Sequence, residues 1–134
     1  MEGNNFFIKK DFDAWNKLKK NLHYSEKKIY FKEKEIWWCS LGINIGYEQD
    51  GKNNNFERPI VVLRKFNNDL LWIIPLTTGN KSGKYYYSFE NNNKKYSAIL
   101  SQIRLISTKR LVRKMRKMSD ENYISIKKSL IRLA

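Results

Sequence analysis

The period of the hydrophobic positions changes once along the chain. In "DFDAWNKLKKNLHY" (11–24), Phe12, Trp15, Leu18 and Leu22 recur at spacings of three and four. That period predicts an amphipathic helix with Asp11 or Asp13 near its start, and its apolar stripe is expected to pack on the rest of the fold. From Glu35 the apolar residues gather into short β-branched and aromatic runs: "EIWWCSL", "PIVVLRKF", "LLWIIPLT", "KYYYSF" and "SAILSQIRLI". Such runs predict strands. "NND" at 67–69 predicts a tight hairpin turn and "ENNNKK" at 90–95 a looser one. "ISTKRLVRK" (106–114) reads as one short helical turn. A second helical stripe, Tyr123, Ile126, Leu130 and Ile131, follows Ser119 as N-cap, with Asp120 and Glu121 in the first turn.

Nothing of crossover length separates the strands, so they are expected to pair antiparallel in a small barrel or strongly curled sheet. The predicted class is mainly β (α+β): a helical extension over 1–34, then a barrel domain with a C-terminal helix over 35–134. One segment stands outside the pattern. Between Leu41 and "RPIVVL" lies a polar loop rich in Gly, Asn and acidic residues, and the chain re-enters an apolar run through Arg58-Pro59. Loops of that length are usually functional or disordered.

The 134 residues suit one domain with a real core. No apolar window is long enough for a transmembrane helix, and "MEGNNFFIKKDFDAW" lacks the apolar core of a signal peptide. Cys39 stands alone, which excludes an internal disulfide and points to a reducing cytoplasm. The net charge is +14. Abundant Lys and Asn also fit AT-biased coding, so the distribution carries more weight than the total. Residues 102–134 hold ten basic and two acidic side chains, among them Arg104, Arg110, Arg113 and Arg116. A phosphate-binding surface is expected there, against the alternative of a merely solvated face.

His23 is the only histidine. A histidine-pair nuclease is excluded, and a Cys–His or Ser–His nucleophile finds no support. No metal-ligand spacing, phosphate loop or dinucleotide fingerprint is present. An enzyme built from this sequence works with arginine, hydroxyls and amides. Such groups recur at strand ends: Arg58, then Thr77 and Thr78 after Pro75, then Gln102 and Arg104, alternating with Ser101, Ile103 and Leu105. Each also reads as an ordinary surface or strand-end residue, and composition alone leaves both readings open.

Four stretches in register decide further: "GYEQDG" (46–51), "RPIVVL" (58–63), "IIPLTT" (73–78) and "SQIRLISTKRL" (101–111). From Glu35 to about Leu130 the chain resembles the MazF/PemK (Kid-like) toxins of type II toxin–antitoxin systems. The resemblance implies an SH3-like barrel, a homodimer, and a metal-independent endoribonuclease acting on single-stranded RNA. It implies that 43–57 is the mobile loop over the RNA groove, and that Arg58 and Thr77 are the catalytic pair. Asn44, Glu48, Gln49, Lys52, Thr78, Gln102 and Arg104 are then the RNA-binding set. The reaction would be attack of the 2′-OH on its own phosphorus, giving a 2′,3′-cyclic phosphate and a 5′-OH. Two departures stand out. Ser101 occupies the place where some members carry a carboxylate, and the first loop lacks the histidine of Kid-type members. The general base stays unassigned, with Glu48 as one possibility and a structural role for it as the other.

The implied partners are single-stranded RNA, a cognate antitoxin with an acidic segment that folds on binding, and operator DNA only through the antitoxin complex. No metal, cofactor or membrane is expected. Two other readings compete. A non-catalytic nucleic-acid-binding barrel would use the same basic and aromatic residues. A gyrase-poisoning toxin of the same fold would end in a Trp-Gly-Ile-type tail, whereas this chain ends "SLIRLA".

Overall fold

The computed structural model describes residues 9–134. Helix α1 (Phe12–Tyr24) starts where the Asp11 carboxylate accepts from the Ala14 amide at 3.0 Å, pairing one of the N–H groups that a first helical turn leaves open. Of its stripe only Trp15 is buried. Leu18 and Leu22 are half-buried and Phe12 is 50% exposed. The expected four-residue packing face is thus reduced to one anchoring side chain.

Seven strands follow: β1 (Glu35–Ser40), β2 (Glu57–Lys65), β3 (Leu70–Thr78), β4 (Tyr86–Asn91), β5 (Lys94–Ile99), β6 (Arg104–Ser107) and β7 (Leu111–Lys117). Every ladder is antiparallel. The hydrogen-bonded order is β4-β5-β3-β2-β1-β7, with β6 also on β3. The mainly antiparallel architecture is the expected one, and the sheet curls without closing into a ring. β3 carries the curl: its first half, Leu70–Ile73, pairs with β6, and its second half, Leu76–Thr78, pairs with β5. The run "SAILSQIRLI" is therefore not one strand. A 3-10 turn at Leu100–Gln102 breaks it between β5 and β6, and Gln102 leaves the strand on which the sequence placed it.

The curl buries both faces of the central strands. Val61, Leu63, Ile74 and Leu76 join one cluster with Ile36 and Phe89. Ile60, Val62, Leu71 and Ile73 join another with Phe31, Trp37 and Leu111. Uninterrupted apolar runs such as "PIVVL" are what a strand covered on both sides needs. Helix α2 (Asp120–Leu133) closes the first cluster with Tyr123 and Ile126. It begins as read, with Ser119 Oγ accepting from the Asn122 amide at 3.1 Å, and the Tyr123 hydroxyl donates to the Leu63 carbonyl at 2.6 Å. Ile131 stays outside the packing, 74% exposed.

Two local expectations are corrected. The helical turn in 106–114 is confined to Thr108–Arg110, and β7 follows it and pairs with β1. Register shifts at Ile36/Trp37 and Trp38/Cys39 break the two-residue period of that ladder. The Lys and Arg side chains of β7 are of the kind that protect an open sheet edge from further pairing. The turn in "ENNNKK" is the tight one. Asn92 and Asn93 have φ of +55° and +65°, as a two-residue hairpin turn requires, while residues 66–69 form the longer β2–β3 connection. Among the described residues no helix is long and apolar enough to cross a membrane.

Candidate active site

The loop between β1 and β2 opens at Gly42, whose φ is +83°. A Cβ there would sit 2.1 Å from the Trp15 indole, so glycine is required by both backbone and neighbour. The loop closes on itself. The Gly51 amide donates to the Gly42 carbonyl at 2.9 Å, and Lys52 and Glu57 exchange both backbone hydrogen bonds at 2.7 Å. Inside it, Asp50 accepts from the Asn44 amide at 2.7 Å, and the Asn44 side chain donates to the Gln49 carbonyl at 2.8 Å. Glu48 accepts from the Ile45 amide at 3.2 Å. From the extension, Lys10 Nζ reaches the carbonyls of Asn44 (2.6 Å) and Gly46 (2.9 Å) and the Asp50 carboxylate (3.0 Å). The extension thus holds the loop at its neck through Trp15 and at its crown through Lys10.

This bracing ends on Arg58. As the second residue of β2 it pairs with Cys39 of β1 and is 9% exposed. Its Nε donates to the Asp50 carbonyl at 2.7 Å and its Nη1 to the Leu76 carbonyl at 3.2 Å. The Gln49 amide suits its surroundings with its oxygen toward the guanidinium, accepting from Nη2 at 2.7 Å. Burial lowers the guanidinium pKa below the ordinary arginine value, and Asp50 partly offsets this. Burial also pushes the Cys39 thiol up to about 12, so the one cysteine stays protonated at neutral pH and supplies no thiolate.

The sequence-derived site residues fall into two neighbouring clefts. One, of about 250 Å³, is lined by Lys52, Arg58, Thr77 and Thr78. The other, of about 290 Å³, is lined by Asn44, Glu48, Gln49, Ser101, Gln102 and Arg104. Gln49 joins them, since it lines the second and holds the arginine of the first. Gln102 links the second cleft to the loop, accepting from the Gln49 amide at 3.3 Å. His23 is exposed on α1 and lines neither cleft. Among the described residues no group of three or more His, Cys, Asp or Glu is arranged to hold a metal ion.

Sequence reasoning missed Glu57, Lys94 and Tyr96, which also line the arginine cleft. Glu57 is 3% exposed, and both its oxygens accept from Arg113 Nη1, at 3.1 and 3.2 Å. The available signal was a carboxylate directly before the arginine, which strand alternation argues to the opposite face. Tyr96 arrives by pairing, because it stands opposite Thr78 of β3, and Lys94 lies two residues before it on the same face of β5. The basic C-terminal third is partly internal bracing. Arg110 donates to the Ser40 and Leu41 carbonyls at 3.2 and 3.1 Å and lies over the Trp15 ring.

Comparison with solved structures finds 54 similar chains. A MazF from Deinococcus radiodurans superposes with a TM-score of 0.61 at 14% identity, covering 78% of this chain and 97% of the other. An endoribonuclease in complex with its cognate antitoxin, from a mycobacterial species, gives 0.57 at 11%, covering 77% and 93%. The Mycobacterium tuberculosis toxin MazF-mt6 gives 0.56 at 11%, covering 73% and 93%. At such identities these likenesses establish the fold. No curated protein matches the chain significantly. The sequence profile of one family matches residues 32–134, all of the sheet and α2. The chain belongs to the PemK-like, MazF-like toxins of type II toxin–antitoxin systems.

Proposed function

We propose that the chain is a toxin endoribonuclease that cuts single-stranded RNA without a metal ion. The observation that carries this reading is the Arg58 guanidinium, fixed by two backbone carbonyls and Gln49 and lining the cleft that Thr77 and Thr78 share. Of its five N–H groups, these contacts leave one on each terminal nitrogen for a phosphoryl oxygen. In the reaction the 2′ oxygen bonds to phosphorus and the P–O5′ bond breaks. A proton leaves the 2′-OH and another reaches the 5′ oxygen. Charge gathers on the non-bridging oxygens, where a preorganised guanidinium acts most strongly. Thr77 adds a hydroxyl donor. Glu57 is the carboxylate in this cleft and is assigned as acceptor of the 2′ proton, with Arg113 orienting it.

The remaining partners follow from the same reading. A cognate antitoxin covers the clefts in the cytoplasm, and operator DNA is met only through that complex. A homodimer is proposed through the exposed apolar patch of Phe66, Leu70, Trp72, Ile103 and Leu105. It adjoins the glutamine cleft through Ile103, so two copies would join their grooves.

The test is cleavage of a single-stranded RNA with analysis of the product ends. Losing one preorganised donor typically costs ~10²–10³ in rate. Arg58→Ala is expected to lose at least that and to melt lower, because it strips the donors from the Asp50 and Leu76 carbonyls, and Thr77→Ala to lose less with near-normal melting. Arg58→Lys should rescue little, since an ammonium lacks the two-pronged geometry. Glu57→Gln should slow cleavage by removing the proton acceptor while keeping the side chain's shape, and activity should persist in EDTA. A folded Arg58→Ala protein cutting at the wild-type rate would end this assignment.

A further inference from the structure

Beyond the two clefts, a larger one lies between the extension and the loop. It has a volume of about 720 Å³, and Lys9, Phe12, Tyr47, Lys52, Asn53 and Phe56 line it. Lys52 and Asn53 also line the arginine cleft, so the two are continuous. A third of this wall, Lys9 to Phe12, lies before residue 32, where the family match begins. The composition of the cleft is specific. Phe12 is 50% exposed and Tyr47 83% exposed, aromatic faces left open to water along a groove lined by Lys9, Lys10 and Lys52 and by two carboxylates, Asp11 bound to the Ala14 amide and Asp50 paired with Lys10. Lys10 is already engaged with the loop, which keeps the two walls at fixed separation.

From this we infer that the N-terminal extension builds an accessory subsite for single-stranded RNA, in which Phe12 and Tyr47 stack bases and Lys9 and Lys52 meet phosphates. The chemistry is that of single-strand binders: base stacking on aromatic faces with cations tracking the backbone. The site takes nucleotides flanking the cleaved bond, because its floor runs into the arginine cleft at Lys52. An acidic antitoxin segment would answer the lysines but would not call for two open aromatic faces. The inference rests on the RNA reading of the arginine cleft.

The experiment uses the full chain and two RNAs, one barely spanning the cleavage site and one longer by several nucleotides on each side. Both are made cleavable for kinetics and 2′-deoxy at the scissile position for fluorescence anisotropy. Stacking of one base is worth about fivefold or more in affinity, so the longer RNA should bind at least that much tighter and cut with a lower KM. Phe12→Ala with Lys9→Gln should remove this gain while leaving the short RNA's kcat and affinity in place. Raising salt should narrow the length effect. Equal affinity for both RNAs, or a loss on Phe12→Ala identical for both, would overturn the subsite. So would variants that change antitoxin affinity alone. If neither RNA is cut, the nuclease reading fails, and the anisotropy comparison with uncleavable RNA still decides whether the cleft binds flanking nucleotides.

Discussion

The two helices invite comparison, being nearly equal in length, capped by an N-terminal side chain and amphipathic. Helix α2 places Tyr123 and Ile126 in the core cluster of the sheet, with Leu130 and Leu133 packed against it. Helix α1 buries Trp15 alone, and that indole meets Gly42, the Phe56 ring at 5.7 Å and Arg110. One helix completes the fold, and the other grips a loop. Two equal stripes in a sequence can therefore do different work, and the difference lies in what each stripe finds beneath it.

The contrast is broken most forcefully by truncating each anchor. Ile126→Ala removes a fully buried branched side chain, and such losses cost about 2–5 kcal/mol because the cavity only partly collapses. Denaturant unfolding should show the whole domain, both clefts included, destabilised together. Trp15→Ala should fall below the ~3 kcal/mol that a fully enclosed Trp costs, since its neighbours on α1 stay half exposed. Amide exchange should then quicken in α1 and the loop neck while the central strands keep their protection. Equal loss of protection across the sheet would make the two helices equivalent and the contrast wrong.

How much of this was legible depended on whether the signal was local. β2 and β3 were readable because burial on both faces leaves uninterrupted apolar runs. β7 was not, because its partner β1 is bulged twice and its edge position favours Arg and Lys. The "NNN" at 91–93 marks a turn plainly, yet its tightness rests on two residues taking positive φ. In the arginine cleft, Arg58, Thr77, Thr78 and Lys52 belong to motifs that can be quoted from the chain. Tyr96 reaches it only through the β3–β5 register, and Lys94 stands two residues before it on the same strand face. The narrowing of α1 to one anchor was invisible, since periodicity specifies a face and not its neighbour.

The seam between extension and sheet sharpens the comparison at intermediate size. Glu35 accepts from the Lys32 amide at 2.8 Å and the Trp37 indole at 3.0 Å and pairs with Lys114 at 2.9 Å. Burial alone would raise its pKa, but the Trp37, Lys114 and Lys32 contacts outweigh it and hold the carboxyl below its ordinary value of 4.5. A depressed folded pKa gives stability that is present above the unfolded value and lost as pH falls through the folded one. Wild type should therefore lose stability as pH drops below about 4.5. Glu35→Gln should lower stability at pH 7 and flatten that acid slope. An unchanged slope in the mutant would place the acid sensitivity elsewhere.

The smallest stability effect and the most local one belongs to Lys10. Its contacts are partly exposed, with side-chain exposures of 22% for Lys10 and 24% for Asp50, so Lys10→Met should cost only ~0.2–1 kcal/mol. The consequence for function differs in kind. Lys10 pulls on Asp50, whose carbonyl accepts from Arg58 Nε, so releasing it loosens a positioning contact and leaves the arginine in place. Cleavage should slow by less than in Arg58→Ala, and Lys10→Arg should restore most of the rate by re-forming the pair with Asp50. The melting temperature should barely move across the three proteins. A Lys10→Met protein with unaltered kinetics would show that the loop holds Arg58 without help from the extension, and the role of α1 would then reduce to packing on Trp15.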